Sequence, residues 1–292
     1  MAGGTPPQRF PFVQFEFAFP LGPPDGRYVT RAEPDGDPER IVVLRTIGAP
    51  RRSRLSGRRA RRVEEGAEPE PVPTARATVI RVEGFETDDE AEEWLESLRR
   101  DRDALEAEAD GAARDLNALL RAHRAAAADP GVRDLVPAGA TAVRAGWGSG
   151  EQVADGRFEA AYELPPASPR SRVRRRADAL APDERLAGIL AKREEVLACE
   201  ELVLRARSDL EAGRPREAAL QTRIALEAAL AELRGSGGEY PPDLGEVREE
   251  VAQAANAALS GEPGPELQEA VAEAVAAIEA AVRRRRLESV RR

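Results

Sequence analysis

The feature that most constrains this chain is an apolar residue at every seventh position across about six heptads. Residues seven apart lie on one face of a helix, so the repeat predicts one long amphipathic helix. Its members are Ala91, Leu98, Leu105, Ala112, Leu119 and Ala126. Such a helix would span roughly 60 Å, which is more than a small sheet covers. Leu98, Leu105 and Leu119 are therefore a candidate interaction stripe for a protein partner or a second copy of the chain.

The predicted helix has a start signal and a stop signal. Thr87 and Glu90 have the spacing of a capping box, and Asp129-Pro130-Gly131 ends the pattern. Asp110-Gly111 is the candidate break between them. The seven-residue phase continues across this glycine, which favours a continuous or gently kinked helix over a helical hairpin.

Alternating apolar residues ahead of the helix predict a small antiparallel sheet. Val13, Phe15 and Phe17 alternate with polar residues, and the turn at 23–26 leads into a second run at 27–31, which predicts a hairpin. Further strands are predicted at residues 41–44, 78–82 and 141–145. Sheet and helix together predict an α+β domain over residues 1–165.

Two segments have no apolar periodicity. Residues 50–74 are rich in Arg, Glu and Pro, so they cannot bury enough surface to offset their ordering entropy, and a disordered loop is predicted. Residues 166–182 form a basic, proline-rich segment. They are predicted to be the linker between two domains.

Residues 183–292 are predicted to be an all-α domain. One apolar ladder comprises Ile189, Val196, Val203 and Leu210, and a neighbouring ladder comprises Leu190, Leu197 and Leu204. Gly213 ends this helix, and three more are predicted after Pro215, from Asp243 as a cap, and after Pro265. Four helices joined by short loops predict a four-helix bundle.

The hairpin at 196–234 resembles two known families. The pattern consists of residues 206–210, Gly213-Arg214, 217–219 and 225–227. It is similar both to tetratricopeptide repeats and to the paired helices of HEPN domains. A tetratricopeptide array implies further copies at a period of 34 residues, and none is present in the sequence. The HEPN resemblance implies association with RNA, but active members carry an Arg-x4-6-His motif and this domain contains no histidine. A catalytically silent HEPN-like domain and an unclassified bundle both remain open.

A glycine-rich segment follows the strand predicted at 141–145. Gly146-Trp147-Gly148-Ser149-Gly150 has the composition of a phosphate cradle, but a second strand follows where a phosphate loop would have a helix. A hairpin loop with Trp147 packed on the sheet is the favoured interpretation. The candidate loop site comprises Trp147, Glu151, Asp155 and Arg157.

The residue types that common catalysis requires are scarce. A single cysteine, Cys199, excludes an internal disulfide and a thiolate zinc cage, and a single histidine, His123, excludes sites with two imidazoles. Both lie on apolar helical stripes, so we expect them to be packed side chains. We expect no catalytic residues, no metal ligands and no cofactor.

Arginines cluster in segments where no core is expected. The candidate contacts for an anion or nucleic acid are Arg58, Arg59, Arg61, Arg62, Arg174, Arg175 and Arg176. Clustered arginine suits phosphate backbones. A formal net charge of -9 and the lack of interleaved aromatics make a nucleic-acid partner possible but not favoured.

These observations lead to a functional hypothesis. No apolar run approaches the roughly 18 residues that a membrane span requires, and residues 1–9 lack the pattern of a signal peptide, so we expect no membrane association and a cytoplasmic location. The leading hypothesis is a non-catalytic protein-protein interaction or scaffold protein that binds a protein partner or forms a homo-oligomer. The alternative is a nucleic-acid-associated regulator with a catalytically silent HEPN-like domain.

Overall fold

The computed structural model describes residues 8–31, 33, 35–48, 73–165, 182–234 and 241–290. It divides the chain into two units, residues 1–171 and 172–292. The predicted loop at 50–74, except for its last two residues, lies outside the described part. The predicted linker at 166–182 also lies outside it, except for Pro182.

The first unit contains a six-stranded antiparallel sheet. Its strands are β1 Arg9–Phe17, β2 Gly26–Thr30, β3 Arg40–Ile47, β4 Thr74–Arg81, β5 Ala142–Ser149 and β6 Ala160–Glu163, in the order β2-β3-β4-β1-β5-β6. The antiparallel sheet is confirmed, but the predicted hairpin between the first two strands is wrong, because β2 pairs with β3. The phenylalanine-rich β1 is buried on both faces, so it lies in the centre, between β4 and β5.

The single long helix predicted after the sheet is two helices. These are α1 Asp88–Arg100 and α2 Arg102–Ala127, and they are separated at Asp101. Asp101 has an extended backbone, and its carboxylate accepts hydrogen bonds from the N–H groups of Asp103 and Ala104. This cap begins a new helix. The prediction of a continuous helix is therefore wrong, and the break does not occur at Gly111, which lies inside α2.

The predicted capping box at the start of α1 is confirmed. The Thr87 hydroxyl accepts a hydrogen bond from the Glu90 N–H at 3.2 Å, and the Glu90 carboxylate accepts one from the Glu86 N–H at 3.0 Å. At the other end of the pair, Ala128 has a left-handed backbone (φ 50°), which ends α2 just before the predicted Asp129-Pro130-Gly131 stop.

The sheet buries apolar side chains on both faces. One face packs against α1 and α2 through a cluster that includes Phe15, Phe17, Val42, Val79, Leu98 and Leu116. On the opposite face Phe12, Val43 and Ile80 pack with Val153 and Ala154. The last two belong to a short 3-10 helix, Gly150–Asp155, in the connection between β5 and β6. The first unit is therefore a mixed helix-and-sheet fold with a core on each side.

The second face also carries an acidic residue, near the end of β1. The Glu16 carboxylate accepts hydrogen bonds from Arg76 on β4 and Arg144 on β5, both at 2.9 Å. Burial opposes ionisation of Glu16, but the two guanidinium groups outweigh it and hold the pKa of Glu16 below its ordinary value. This ion-pair network joins three neighbouring strands.

The second unit is helical in its described residues. Its helices are α3 Pro182–Leu190, α4 Ala198–Glu211, α5 Pro215–Glu232, α6 Pro242–Glu246, α7 Arg248–Ser260 and α8 Pro265–Val290. Fully buried alanines, among them Ala206, Ala225 and Ala229, let the helices pack closely. The predicted cap at Asp243 is wrong. This residue lies inside the short α6, and its carboxylate accepts a hydrogen bond from Arg284 at 2.8 Å.

The Glu16 network generates a pH-dependent prediction. The substitution Glu16→Gln should lower the free energy of unfolding of the first unit at pH 7 by about 1–2 kcal/mol, given the partial exposure of the site. Because the pKa of Glu16 is lowered by folding, the wild-type advantage exists above the ordinary carboxyl pKa and disappears as the pH falls through the folded value. Urea unfolding followed by tryptophan fluorescence measures this, since both tryptophans, Trp94 and Trp147, lie in the first unit.

Glu163→Gln is the matched control. Glu163 also pairs with Arg144, at 3.0 Å, but its side chain is 57% exposed. We expect a change within about 0.5 kcal/mol for this variant. A loss for Glu16→Gln that is the same at pH 3 as at pH 7 would contradict the assignment.

Candidate interaction surface

Exposed apolar side chains concentrate at the start of the second unit. Leu186 and Leu190 of α3 are 54% and 73% exposed, Val196 in the following loop is 45% exposed, and Leu204 of α4 is 55% exposed. We call these four residues the α3–α4 face. The ion pair between Arg185 of α3 and Glu200 of α4 joins the two helices, so these exposed apolar residues belong to one region, and such a region commonly marks a surface that contacts another molecule.

These residues are exposed because the predicted helix through 189–210 is interrupted. Residues 191–197 form a loop, in which Lys192 has a left-handed backbone (φ 58°) and the Arg193 N–H donates to the Gly188 carbonyl at 2.9 Å. The loop divides both predicted ladders between α3 and α4. Val203 stays in the core while Leu190 and Leu204 face outward. The broad apolar face predicted from two neighbouring ladders is therefore wrong, because Leu190 and Leu204 of the second ladder and Val196 of the first are exposed.

A signal for this break is present in the sequence. Residues 192–195 are four consecutive charged residues, Lys-Arg-Glu-Glu, in the middle of the predicted ladder. Four consecutive residues cover all sides of a helix, so one of these charges would have to lie on the apolar face. The loop leaves all four exposed.

A buried carboxylate attaches α3 to the rest of the unit. The Glu200 side chain, in the first turn of α4, is 7% exposed and forms ion pairs with Arg185 of α3 and Arg286 of α8. Arg185 also lies 3.6 Å from Glu194. Removing one partner of a buried pair leaves a charge without compensation. Glu200 therefore holds α3, and with it Leu186 and Leu190, beside the start of α4.

The N-terminus of α4 is capped from another helix. Glu232, the last residue of α5, accepts hydrogen bonds from the N–H groups of Ala198 and Cys199 at 3.2 and 2.9 Å. Burial disfavours the Glu232 carboxylate, but these N–H groups outweigh it and lower its pKa. Burial, followed by the nearby Glu232 carboxylate, raises the pKa of the Cys199 thiol to about 12. Cys199 is fully buried and unreactive in character, as its position on the apolar ladder predicts.

Charges of both signs surround the α3–α4 face. Glu201 and Arg205 are exposed one turn apart on α4, and both lie on the same side of Leu204. Lys192, Arg193, Glu194 and Glu195 follow Leu190 in the loop. An apolar centre with a mixed-charge border has the composition of a protein-protein contact.

The structure places the predicted interaction stripe in the core of the first unit. Leu98 and Leu105 are 5% and 3% exposed, and Leu119 packs partly buried against the same cluster. Their side chains lie against the sheet of their own unit. The stripe is also divided between two helices, because α1 ends and α2 begins at Asp101.

The candidate loop site is divided between the two faces of the sheet. Trp147 packs against Ala91 and Leu95 of α1, whereas Asp155 lies across the opposite face, 3.8 Å from Arg45. Arg157 is exposed, and the side chain of Glu151 is outside the described part. The glycines of this segment that lie in β5 allow neighbouring backbone and side chains to pack closely against the strand. A Cβ added at Gly148 would lie 2.8 Å from the Val153 side chain, so glycine lets the 3-10 helix approach β5.

The arginine clusters are only partly within the described residues. Arg58, Arg59, Arg61, Arg62, Arg174, Arg175 and Arg176 lie outside them. Arginines also cluster at 283–286 on α8, where Arg284 pairs with Asp243, Arg285 donates to the Glu232 carbonyl at 2.8 Å, and Arg286 pairs with Glu200. These three arginines therefore stabilise the second unit itself.

The buried thiol gives a test of the α4 cap. Cys199 is the only cysteine, so an aromatic disulfide reagent should label the folded chain only when the second unit opens, and the urea-unfolded chain at once. Glu232→Gln weakens the cap, and a loss of about 1 kcal/mol predicts about fivefold faster labelling. The control is Glu227→Gln. Glu227 lies on α5, as Glu232 does, and forms an exposed ion pair with Arg248 of α7, so this variant should leave the labelling rate unchanged. Equal labelling rates for folded and unfolded chains would show that Cys199 is not protected.

Among the described residues no group of three or more His, Cys, Asp or Glu is arranged to hold a metal ion, and His123 is half-buried in α2. No helix in the same residues is both long and apolar enough to cross a membrane.

No protein-family model, curated protein or solved structure matches this chain.

Proposed function

We propose that this protein is a non-catalytic interaction protein that associates with a second copy of itself through the α3–α4 face. The observation that carries the proposal is the exposure of Leu186, Leu190 and Leu204, each more than half open to solvent although they come from one short segment. Fully burying a leucine contributes about 1.5–3 kcal/mol. A partner that covers this face removes that exposed apolar surface from water.

The distribution of charge favours a second copy as the partner. In a two-fold dimer one surface meets itself, so each residue that contacts a second residue is contacted by it in return. Glu201 and Arg205 are exposed one helical turn apart beside Leu204. An antiparallel arrangement of two α4 helices brings Glu201 of one copy near Arg205 of the other, in two equivalent pairs. A surface with charge of one sign would not be self-complementary.

We also infer that α4, α5, α7 and α8 form the four-helix bundle predicted from the sequence, as the support for this face. Core side chains from all four helices support the inference, including Val203, Leu226, Val251 and Ile278. Helices α4 and α5 are joined by a tight turn in which Gly213 has φ 65°. A rigid support fixes the direction in which Leu204 points.

The nucleic-acid-associated alternative stays a prediction from the sequence. All seven of its candidate arginines lie outside the described residues. The arginines described near the C-terminus make contacts within the protein, and of these Arg284 and Arg286 pair with carboxylates. The described residues favour the interaction hypothesis.

Sedimentation velocity of the full chain tests self-association. We expect a monomer at low concentration and a dimer at high micromolar concentration. Leu190→Glu and Leu204→Glu should each shift the equilibrium to monomer, because they place a carboxylate at the centre of an apolar contact. Both residues are exposed in the single chain, so these variants should keep the stability of the wild type.

Leu259→Glu is the matched control. Leu259 lies on α7, is 70% exposed and is outside the α3–α4 face. We expect this variant to dimerise like the wild type. A wild-type chain that stays monomeric at every concentration would overturn the proposal. A loss of dimer in Leu259→Glu equal to that in Leu190→Glu would overturn the assignment of the face.

A further inference from the structure

A pair of arginines lies at one end of the sheet in the first unit. Arg40 of β3 and Arg81 of β4 are direct cross-strand neighbours. Both side chains reach the α2 side, since Arg40 bonds to Asp115 and Arg81 lies near Glu108. Like charges directly opposite each other on neighbouring strands are destabilising. An arrangement of this kind requires negative charge between or above the two guanidinium groups.

Helix α2 supplies part of that charge and leaves a space. Glu108, Gly111 and Asp115 recur at the spacing of one helix face. Gly111 lies between the two acids, and a Cβ added there would meet only the Arg114 Nη2 atom, at 3.6 Å. A cavity of about 280 Å³ results, lined by the five charged residues Arg40, Arg81, Glu108, Arg114 and Asp115 and by Gly111. We call it the α2 cavity.

The two ion pairs beside the cavity are unequal. Arg40 Nε donates to Asp115 at 3.1 Å. The nearest approach of Arg81 to Glu108 is 3.7 Å, which is longer than a hydrogen bond. Asp115 therefore satisfies Arg40, whereas Glu108 only partly compensates Arg81.

Arg81 has unused hydrogen-bonding capacity. A guanidinium carries five N–H donors, and within the described residues Arg81 donates none of them to a protein acceptor. Its Nε atom is buried and has no partner. The group also lies over the Trp94 ring, with Cζ 5.4 Å from the centroid. Buried polar atoms are nearly always bonded to protein, water or an ion, so an unpartnered guanidinium nitrogen beside a cavity points to a ligand.

The remaining charge of the cavity is positive. Arg114 is exposed at its opening, and the part of the chain described here gives it no ion pair or hydrogen bond. Three guanidinium groups face two carboxylates, one of which is already bonded to Arg40. The unsatisfied donors thus belong to Arg81 and Arg114.

We propose that the α2 cavity binds a small phosphate-type dianion through Arg81 and Arg114. The planar fork of a guanidinium matches two oxygens of such an ion and forms charge-assisted hydrogen bonds with it. The volume corresponds to roughly nine water molecules at liquid density, which suits inorganic phosphate or the phosphoryl group of a small metabolite. The bound ion competes with Glu108 for Arg81. This site lies in the first unit and does not depend on the α3–α4 face.

Calorimetric titration of the full chain with inorganic phosphate at low ionic strength tests the site. We expect saturable binding with one ion per chain. Arg81→Gln should weaken it by about tenfold or more, the effect of losing a charge-assisted hydrogen bond. Glu108→Gln should strengthen it several-fold, because the competing carboxylate is removed. A merely structural role for Glu108 would not produce tighter binding.

Two further variants keep the test decisive. Gly111→Leu places a side chain in the cavity, and leucine favours a helix more than glycine does, so the variant should fold and lose phosphate binding even if Arg81→Gln does not fold. Arg100→Gln removes an exposed arginine at the end of α1 and should bind like the wild type. Equal binding of methyl phosphate and inorganic phosphate would support a phosphoryl group on a larger molecule, and selective binding of inorganic phosphate would support the free ion. No saturable binding, or unchanged binding in Gly111→Leu, overturns the proposal.

Discussion

Each unit depends on one carboxylate that two arginines hold. Glu16 lies between Arg76 and Arg144 on the sheet, and Glu200 lies between Arg185 and Arg286 at the start of α4. A carboxylate with little access to water is stable only when its partners stay in place. In the sheet this requirement joins three strands, and in the second unit it joins three helices. Arginine suits the role because its charge is permanent and its donors are arranged in a plane.

The ion pairs of Glu200 with Arg185 and Arg286 connect the stability of the second unit to the proposed function. The Glu200 carboxylate attaches α3 through its ion pair with Arg185. The exposed Leu186 and Leu190 contribute little to the core. An apolar helix that is held by charge and not by burial keeps its leucines open for a partner. The loop at 191–197 separates α3 from α4, so Leu190 and Leu204 lie on different helices, and both are exposed.

Periodicity and turn chemistry predicted much of the fold. The alternation in β1, the capping box at Thr87 and the glycine stop at Gly213 all concern neighbours in sequence, and local rules describe them well. Helix continuity was not predictable in the same way. The apolar repeat continues across Asp101, because α1 and α2 pack against the same sheet. The repeat identifies buried residues, but it does not reveal whether one helix or two carries them.

The candidate sites were less accessible to sequence reasoning. Leu190 and Leu204 lie on one apolar ladder in the sequence, which predicts burial, whereas the fold interrupts that helix and leaves both exposed. The α2 cavity depends on the register that places Arg40 opposite Arg81, and on the position of Gly111 between Glu108 and Asp115. Strand pairing between β3 and β4 crosses the long segment at 50–74, so no local pattern indicates it.

The most direct test of the central claim is amide hydrogen exchange of residues 185–204 at increasing protein concentration. If this face joins two copies of the chain, exchange in α3 and the first turns of α4 slows as the concentration rises, while exchange in α7 stays constant. Exchange rates for residues 185–204 that do not change with concentration would contradict the account.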